Sequence, residues 1–276
     1  MKLGIATFTT VTTLCFATAW IEQPAASHQR HHRPSTRSSS TCSTSSDGDP
    51  PANLLLPLES LRNTYCALRH GHSLANQARN ISSNPNVATI QHGLSPVGHE
   101  QAIVAASKVV EYYTNAKFDG IVILTSDYLR AMETAQHVAR GFSKDNSSSS
   151  SSLSLDDNSD NKTMRLLLVE PRLRERWFGA YDGGPDDQYH QVWKEDALDP
   201  THTQSGVESV HSVMRRATEC ILDCEESYSN HLVILVAHGD VLQILQTAFA
   251  KMDGSLHRSV EHLETATLQP LGLAGS

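Results

Sequence analysis

Four short stretches of this 276-residue chain hold side chains that could handle an anion: Arg69-His70-Gly71-His72, Thr125-Ser126 followed by Arg130, Arg174-Glu175-Arg176, and His238-Gly239-Asp240. A guanidinium is a rigid fork of donors whose geometry matches phosphate oxygens. An imidazole beside it is a nucleophile at ordinary pH, because its unperturbed pKa is about 6.5. Arginine holding a phosphoryl group against histidine is the chemistry this pairing suggests. Blander uses compete at each position. His70 could cap a turn, Arg69 and Arg130 could be solvated charges, and Glu175 an ordinary loop acid. His70 and His72 at a strand end could also offer two imidazoles to zinc.

The elements that must position these residues are legible around them. Thr64-Tyr65-Cys66-Ala67-Leu68 is short, apolar and partly β-branched or aromatic, which reads as a buried strand. Gly71 then allows a sharp turn with no Cβ in the way. Arg69 and His70 would lie at the carboxyl end of that strand, where open α/β sheets place their ligands. Ile121 to Leu124 and Leu232 to Ala237 are further continuous apolar runs, and Arg165 to Val169 is another strand. The strand–His–Gly pattern recurs at His238.

Helices fall between the strands. Ser95 is the expected N-cap of one, with Pro96 at its first position and Ile103, Val104, Val109, Val110 and Tyr113 on its apolar face. The next runs to about Phe142, with Arg130 in its first turn; an anion there would sit between the cation and the free N–H groups of the helix start. A short helix is expected over Asp187 to Leu198. A long one opens at Gly206 and runs to about Ser227, with Val210, Val213, Met214, Ala217, Ile221 and Leu222 inward. Val241 to Ala250 is a last helix and Thr265 to Leu268 a last strand, at the sheet's edge. The alternation predicts an α/β three-layer sandwich, a mostly parallel central sheet with helices on both faces.

Composition sets the outer limits. The formal charge is −8, which argues against general nucleic-acid binding. Residues 1–19 read as a secretory signal: Lys2, an apolar and threonine-rich run, then Ala17-Thr18-Ala19 as a cleavage site, too short to span a membrane. Residues 20–52 are serine- and arginine-rich and nearly free of acids, like a transit peptide. Together they resemble the bipartite presequences of algae with secondary plastids, with Trp20 where phenylalanine is usual. Plastid import is the expectation, and secretion into the endomembrane lumen or beyond, with a disordered linker, is the alternative. The folded domain is expected over 53–276, interrupted at 143–162 by a disordered serine, aspartate and asparagine insertion. Cys15, Cys42, Cys66, Cys220 and Cys224 show neither metal-ligand spacing nor a disulfide framework.

Taken in order, the motifs resemble the histidine phosphatase superfamily, in its phosphoglycerate-mutase-like branch. Leu68-Arg69-His70-Gly71-His72-Ser73 with Asn76, Leu94 to Gln101, Thr125-Ser126 to Arg130 with Thr134-Ala135, Leu173-Arg174-Glu175-Arg176 with Gly179, Gly206 to Ser209 with Arg215, and Ala237-His238-Gly239 carry it. The resemblance implies that His70 is the nucleophile that becomes phosphohistidine. Arg69, Arg130 and His238 become the phosphate clamp, Asn76 a helper, and Glu175 the proton donor to the leaving oxygen. No metal or cofactor is implied. A partly dry pocket would raise the pKa of Glu175, whereas flanking Arg174 and Arg176 would lower it.

The implied activity is a phosphatase on a small phosphorylated metabolite. Selectivity is assigned to the variable segments Asn80–Gly93, Asp182–Thr203 and Lys251–His262. A cofactor-dependent phosphoglycerate mutase would use the same clamp, but the Trp-Asn and Asn-x-Phe-x-Gly-Trp segments usual in mutases are missing after Ser73. A non-catalytic phospho-ligand module would be expected to lack a catalytic group, and none is missing. A zinc hydrolase built on His70 and His72 ranks last.

Overall fold

The computed structural model describes residues 51–145 and 164–275. The signal-like segment, all of the transit-like segment but Pro51 and Ala52, and the serine tract beyond Asp145 lie outside them. In chain order the elements are β1 (Thr64–Arg69), α1 (Leu74–Ala78), α2 (Pro85–Ala88), α3 (Pro96–Thr114), β2 (Gly120–Thr125), α4 (Leu129–Gly141), β3 (Met164–Val169), α5 (Tyr189–Asp196), α6 (Val210–Ser227), β4 (His231–Ala237), α7 (Gly239–Phe249) and β5 (Leu268–Leu271). They form one five-stranded sheet of order β3-β2-β4-β1-β5. All pairings are parallel except β5, which runs antiparallel to β1 at the edge.

Side chains alternate across the sheet with the period of two that a strand imposes. Tyr65, Ala67, Val122, Leu124, Val233 and Leu235 pack with α6 and α7 on one face. Cys66, Leu68, Ile121, Ile123, Leu232, Ile234 and Val236 pack with α3 and α4 on the other. The sandwich is therefore three-layered, and its central strands are apolar on both faces because helices cover both.

The helix starts obey local chemistry. Ser95 caps α3, its Oγ accepting from Gly98 N, and Pro96 stands where an N–H would have no partner. The inward face of α3 matches the expected one in part. Val109 is buried and Val110 and Tyr113 pack against the core, but Ile103 and Val104 are 52% and 57% exposed and Ala102, Ala105 and Ala106 are buried instead. Alanines face inward here because α3 lies close against α4, and Ile103 and Val104 point to solvent. The long helix starts at Val210 with Ser209 as its cap, rather than at Gly206. Gly206 instead takes φ +73° in the turn before it, a conformation that favours glycine. Phe142–Asp145 continues α4 as a 3₁₀ turn, so the first residues assigned to the serine insertion belong to the fold. Within Asn80–Gly93, which shows no period, α2 is a single turn capped by Asn84.

Candidate active site

Strand order puts the predicted residues together. β1 and β4 are neighbours in register, Arg69 opposite Ala237, so His70 and His238 leave the sheet side by side with ring centroids 5.1 Å apart. β2 lies on the other side of β4 and delivers Ser126, and α4 starts three residues later with Leu129. The turn after β1 packs so closely on the start of α3 that a Cβ on Gly71 would lie 2.5 Å from the Gly98 carbonyl oxygen. Glycine is required there by proximity. Thr134 Oγ1 accepts from Gly71 N and donates to the Arg130 carbonyl, tying that turn to α4.

The resulting cleft, of about 340 Å³, is bordered by Arg69, His70, Asn76, Arg130 and Glu175 among others. His70 is 3% exposed. Its Nδ1 lies 2.7 Å from the Gly71 carbonyl, which accepts only if that nitrogen carries the proton, so the lone pair is on Nε2. Burial, with Arg130 and Arg69 adding to it, holds the imidazole well below its ordinary pKa and therefore neutral. Arg130 Nε donates to that Nε2 at 3.1 Å, and its Nη2 donates to the Ser82 carbonyl at 2.9 Å. Arg69 reaches the Leu263 carbonyl at 2.7 Å and His262 at 2.8 Å, while its Nε is buried without a hydrogen-bond partner. Neither arginine forms an ion pair with a carboxylate among the described residues.

Asn76 closes a capping box with Ser73, and its Oδ1 accepts from Ser73 N and Oγ. The side chain that caps α1 thus also borders the cleft. His238 lies beside His70 but deeper. It is fully buried against His70 and Tyr128; its Nε2 meets Ser126 Oγ at 2.9 Å and its Nδ1 has no partner.

Burial pushes Glu175 up to about 7, with the charge of Asp240 adding to it against Arg130, the Arg176 backbone N–H and Arg69. The neighbouring arginines expected to lower it are engaged elsewhere. Arg174 pairs with Asp127 at 2.5 Å, and Arg176, 0% exposed, forms two bonds to Asp196 at 2.6 and 2.7 Å and one to Asp240 at 3.2 Å. Adjacent residues on an extended loop point to different sides, so sequence proximity did not become spatial proximity.

Among the described residues the zinc alternative finds no donor set. The Nδ1 atoms of His70 and His72 meet the Gly71 carbonyl and Ser95 Oγ, and no group of three His, Cys, Asp or Glu is placed to hold a metal among the described residues. Cys66, Cys220 and Cys224 are free and buried, with burial pushing all three thiols up, Cys224 to about 12.

A family model described as histidine phosphatase superfamily (branch 1) matches residues 65–149 and 161–275. The chain belongs to the histidine phosphatase superfamily. The break at 150–160 falls inside the serine tract, so the insertion interrupts the family's pattern without displacing the elements on its C-terminal side. Two solved structures illustrate the shared histidine phosphatase fold. A mycobacterial glucosyl-3-phosphoglycerate phosphatase is 21% identical with a TM-score of 0.56, covering 75% of this chain and 91% of that one. YhfR of Bacillus stearothermophilus is 20% identical with a TM-score of 0.54, covering 77% and 96%. No curated protein matches.

The sequence reading missed several residues that border this cleft. Ser82, Tyr189, Trp193, Asp240, Arg258 and His262 join the wall. All but Asp240 come from the three segments to which selectivity is assigned. Asp240 comes directly after His238-Gly239, and its position behind a strand-end histidine is the signal that could have found it.

Proposed function

We propose that this protein is a phosphatase that hydrolyses a small phosphomonoester through a phosphohistidine on His70, with guanidinium groups rather than a metal supplying the positive charge. The reading rests on Arg69 and Arg130. Two guanidiniums without carboxylate partners flank a neutral imidazole, and their combined charge matches a phosphomonoester dianion. In-line transfer depends chiefly on positioning and on neutralising the equatorial oxygens.

The steps balance on the residues present. The Arg130 donor now on His70 Nε2 turns to the phosphoryl oxygens and frees the lone pair. Nε2 then bonds phosphorus, the bond to the leaving oxygen breaks, and Glu175 gives that oxygen its proton. A water next attacks phosphorus, Glu175 takes the proton back, and the P–N bond breaks to return His70 and release phosphate. With a pKa of about 7, Glu175 can serve both as acid and as base. Hydrolysis is favoured over isomerisation because Leu74-Ala75-Asn76-Gln77 lacks the mutase pattern, and the mycobacterial relative of this fold is named as a phosphatase.

Trapping the phosphoenzyme tests this. Wild-type protein given a labelled phosphomonoester in metal-free buffer and quenched in alkali should carry acid-labile phosphate, and His70→Ala should carry none and lose turnover. His70→Ala with wild-type rates, or interconversion of 2- and 3-phosphoglycerate in place of phosphate release, would overturn the reading. For esters with poor leaving groups the phosphorylation step should slow as pH rises through about 7, where Glu175 loses its proton. We place this activity in a plastid, on the resemblance of residues 1–52 to a bipartite presequence, and a fluorescent fusion of those residues that reached the culture medium instead would refute that destination.

A further inference from the structure

Glu175 sits beside a buried ion network that the proposed chemistry leaves unused. Arg176, next in the chain, is gripped by Asp196 from the end of α5 and by Asp240 from the first turn of α7. Asp240 is 5% exposed and makes three kinds of contact at once. Its Oδ2 meets Arg176 at 3.2 Å, its Oδ1 accepts the indole N–H of Trp193 at 2.9 Å, and the same Oδ1 lies 3.7 Å from Arg258 and 3.8 Å from His257. Arg258 in turn lies over Trp193, its Cζ 3.6 Å from the ring centroid, and Tyr189 stacks against Trp193 at 5.3 Å with planes 6° apart.

Arg176 and Arg258 face Asp196 and Asp240, with His202 and His257 packed against the two carboxylates. Asp240 is the network's carboxylate at the cleft, which it borders together with Arg258 and Glu175. The geometry points to Asp240 as a positioning residue for Glu175: one carboxylate that ties the acid's loop, through Arg176, to the cleft wall of Trp193 and Arg258, and that keeps a negative charge beside the acid. This rests on the reading of Glu175 as the proton donor. Burial alone would raise Asp240, but His257, Arg176 and Arg258 hold it below its ordinary value, so it stays charged. The other groups facing Glu175 are Arg130, Arg69, Arg258 and the hydroxyls of Tyr128 and Tyr189. The arginines oppose Asp240, and the buried tyrosines remain protonated throughout the working range.

The test compares p-nitrophenyl phosphate, whose leaving group needs no proton, with glycerol 3-phosphate, whose alkoxide does, in single turnovers across pH. In Asp240→Asn the alkaline limb for glycerol 3-phosphate should move down by about one pH unit, with roughly tenfold loss above neutrality, and any loss on p-nitrophenyl phosphate should be smaller and not follow that limb. Arg258→Gln, at a half-buried site, removes a cation from the same network and should move the limb upward. Equal loss on both esters at every pH, or a limb that stays put in both variants, would make Asp240 merely structural and overturn the proposal. Phosphoenzyme trapping separates the two levels. If wild type and Asp240→Asn both label on His70 yet the limb does not move, only the Asp240 assignment falls. Absence of label from wild type would remove the phosphatase reading and this assignment with it.

Discussion

Arg130 and Arg176 are both buried arginines within the same site region, 3% and 0% exposed, yet they are held in opposite ways. Arg176 is met by two carboxylates and a backbone carbonyl. Arg130 is met by a neutral imidazole, a serine hydroxyl and a carbonyl, all uncharged. A buried cation with carboxylate partners has its desolvation offset inside the protein. One without them carries that cost until an anion arrives, and burial accordingly lowers the pKa of Arg130 while carboxylate partners raise that of Arg176. Under the proposed function, the difference separates a residue that builds the site from one that would bind in it.

That contrast can be broken by substitution. Arg176→Met should cost about 3–5 kcal/mol in denaturant unfolding, because Asp196 and Asp240 would be left buried with a missing partner. A milder loss, under about 1 kcal/mol, would show that water reaches the network and that the pairing is not what holds the loop. Arg130→Gln should do the reverse: stability unchanged or slightly raised, and phosphorylation of His70 slowed by roughly 10²–10³, as for loss of one oxyanion donor. Arg130→Gln that unfolds the protein while sparing the rate would erase the distinction. A smaller effect checks the packing of α3. Val109→Ala, at a fully buried site, should cost about 2 kcal/mol, while Val104→Ala on the solvent face should fall within about 0.5 kcal/mol. Equal costs would restore the face expected from the sequence pattern.

The α3 helix shows where pattern reading stops. Ile103, Val104, Val109, Val110 and Tyr113 are the larger apolar residues of that helix, and hydrophobicity alone chose them. Val109, Val110 and Tyr113 do pack inward, but close approach of α3 and α4 selected alanines in place of Ile103 and Val104, a choice set by the distance between helix axes that one helix's sequence does not contain. The strands were different. Each is a continuous apolar run ended by a turn or a polar group, so length and composition sufficed to locate β1, β2, β3 and β4. The short β5 was displaced by three residues, because its four residues, Leu268 to Leu271, include a glutamine and a proline and form no apolar run.

What the sequence by itself determined is the set of chemical groups and their places at strand ends: Arg69 and His70 after β1, Arg130 at the start of α4, Glu175 after β3, His238 after β4. Local backbone chemistry is enough for that, since a buried strand must stop where its polar residues begin. Only the tertiary structure decided which of them face one cleft, which charges are compensated and which are not. It buried His238 against His70 and Tyr128, paired Arg174 and Arg176 with carboxylates other than Glu175, and brought in Asp240, Tyr189, Trp193 and Arg258. The physical reason is that burial and charge pairing depend on partners distant in the chain. A residue's pKa and its readiness for a ligand are properties of those partners as much as of the residue.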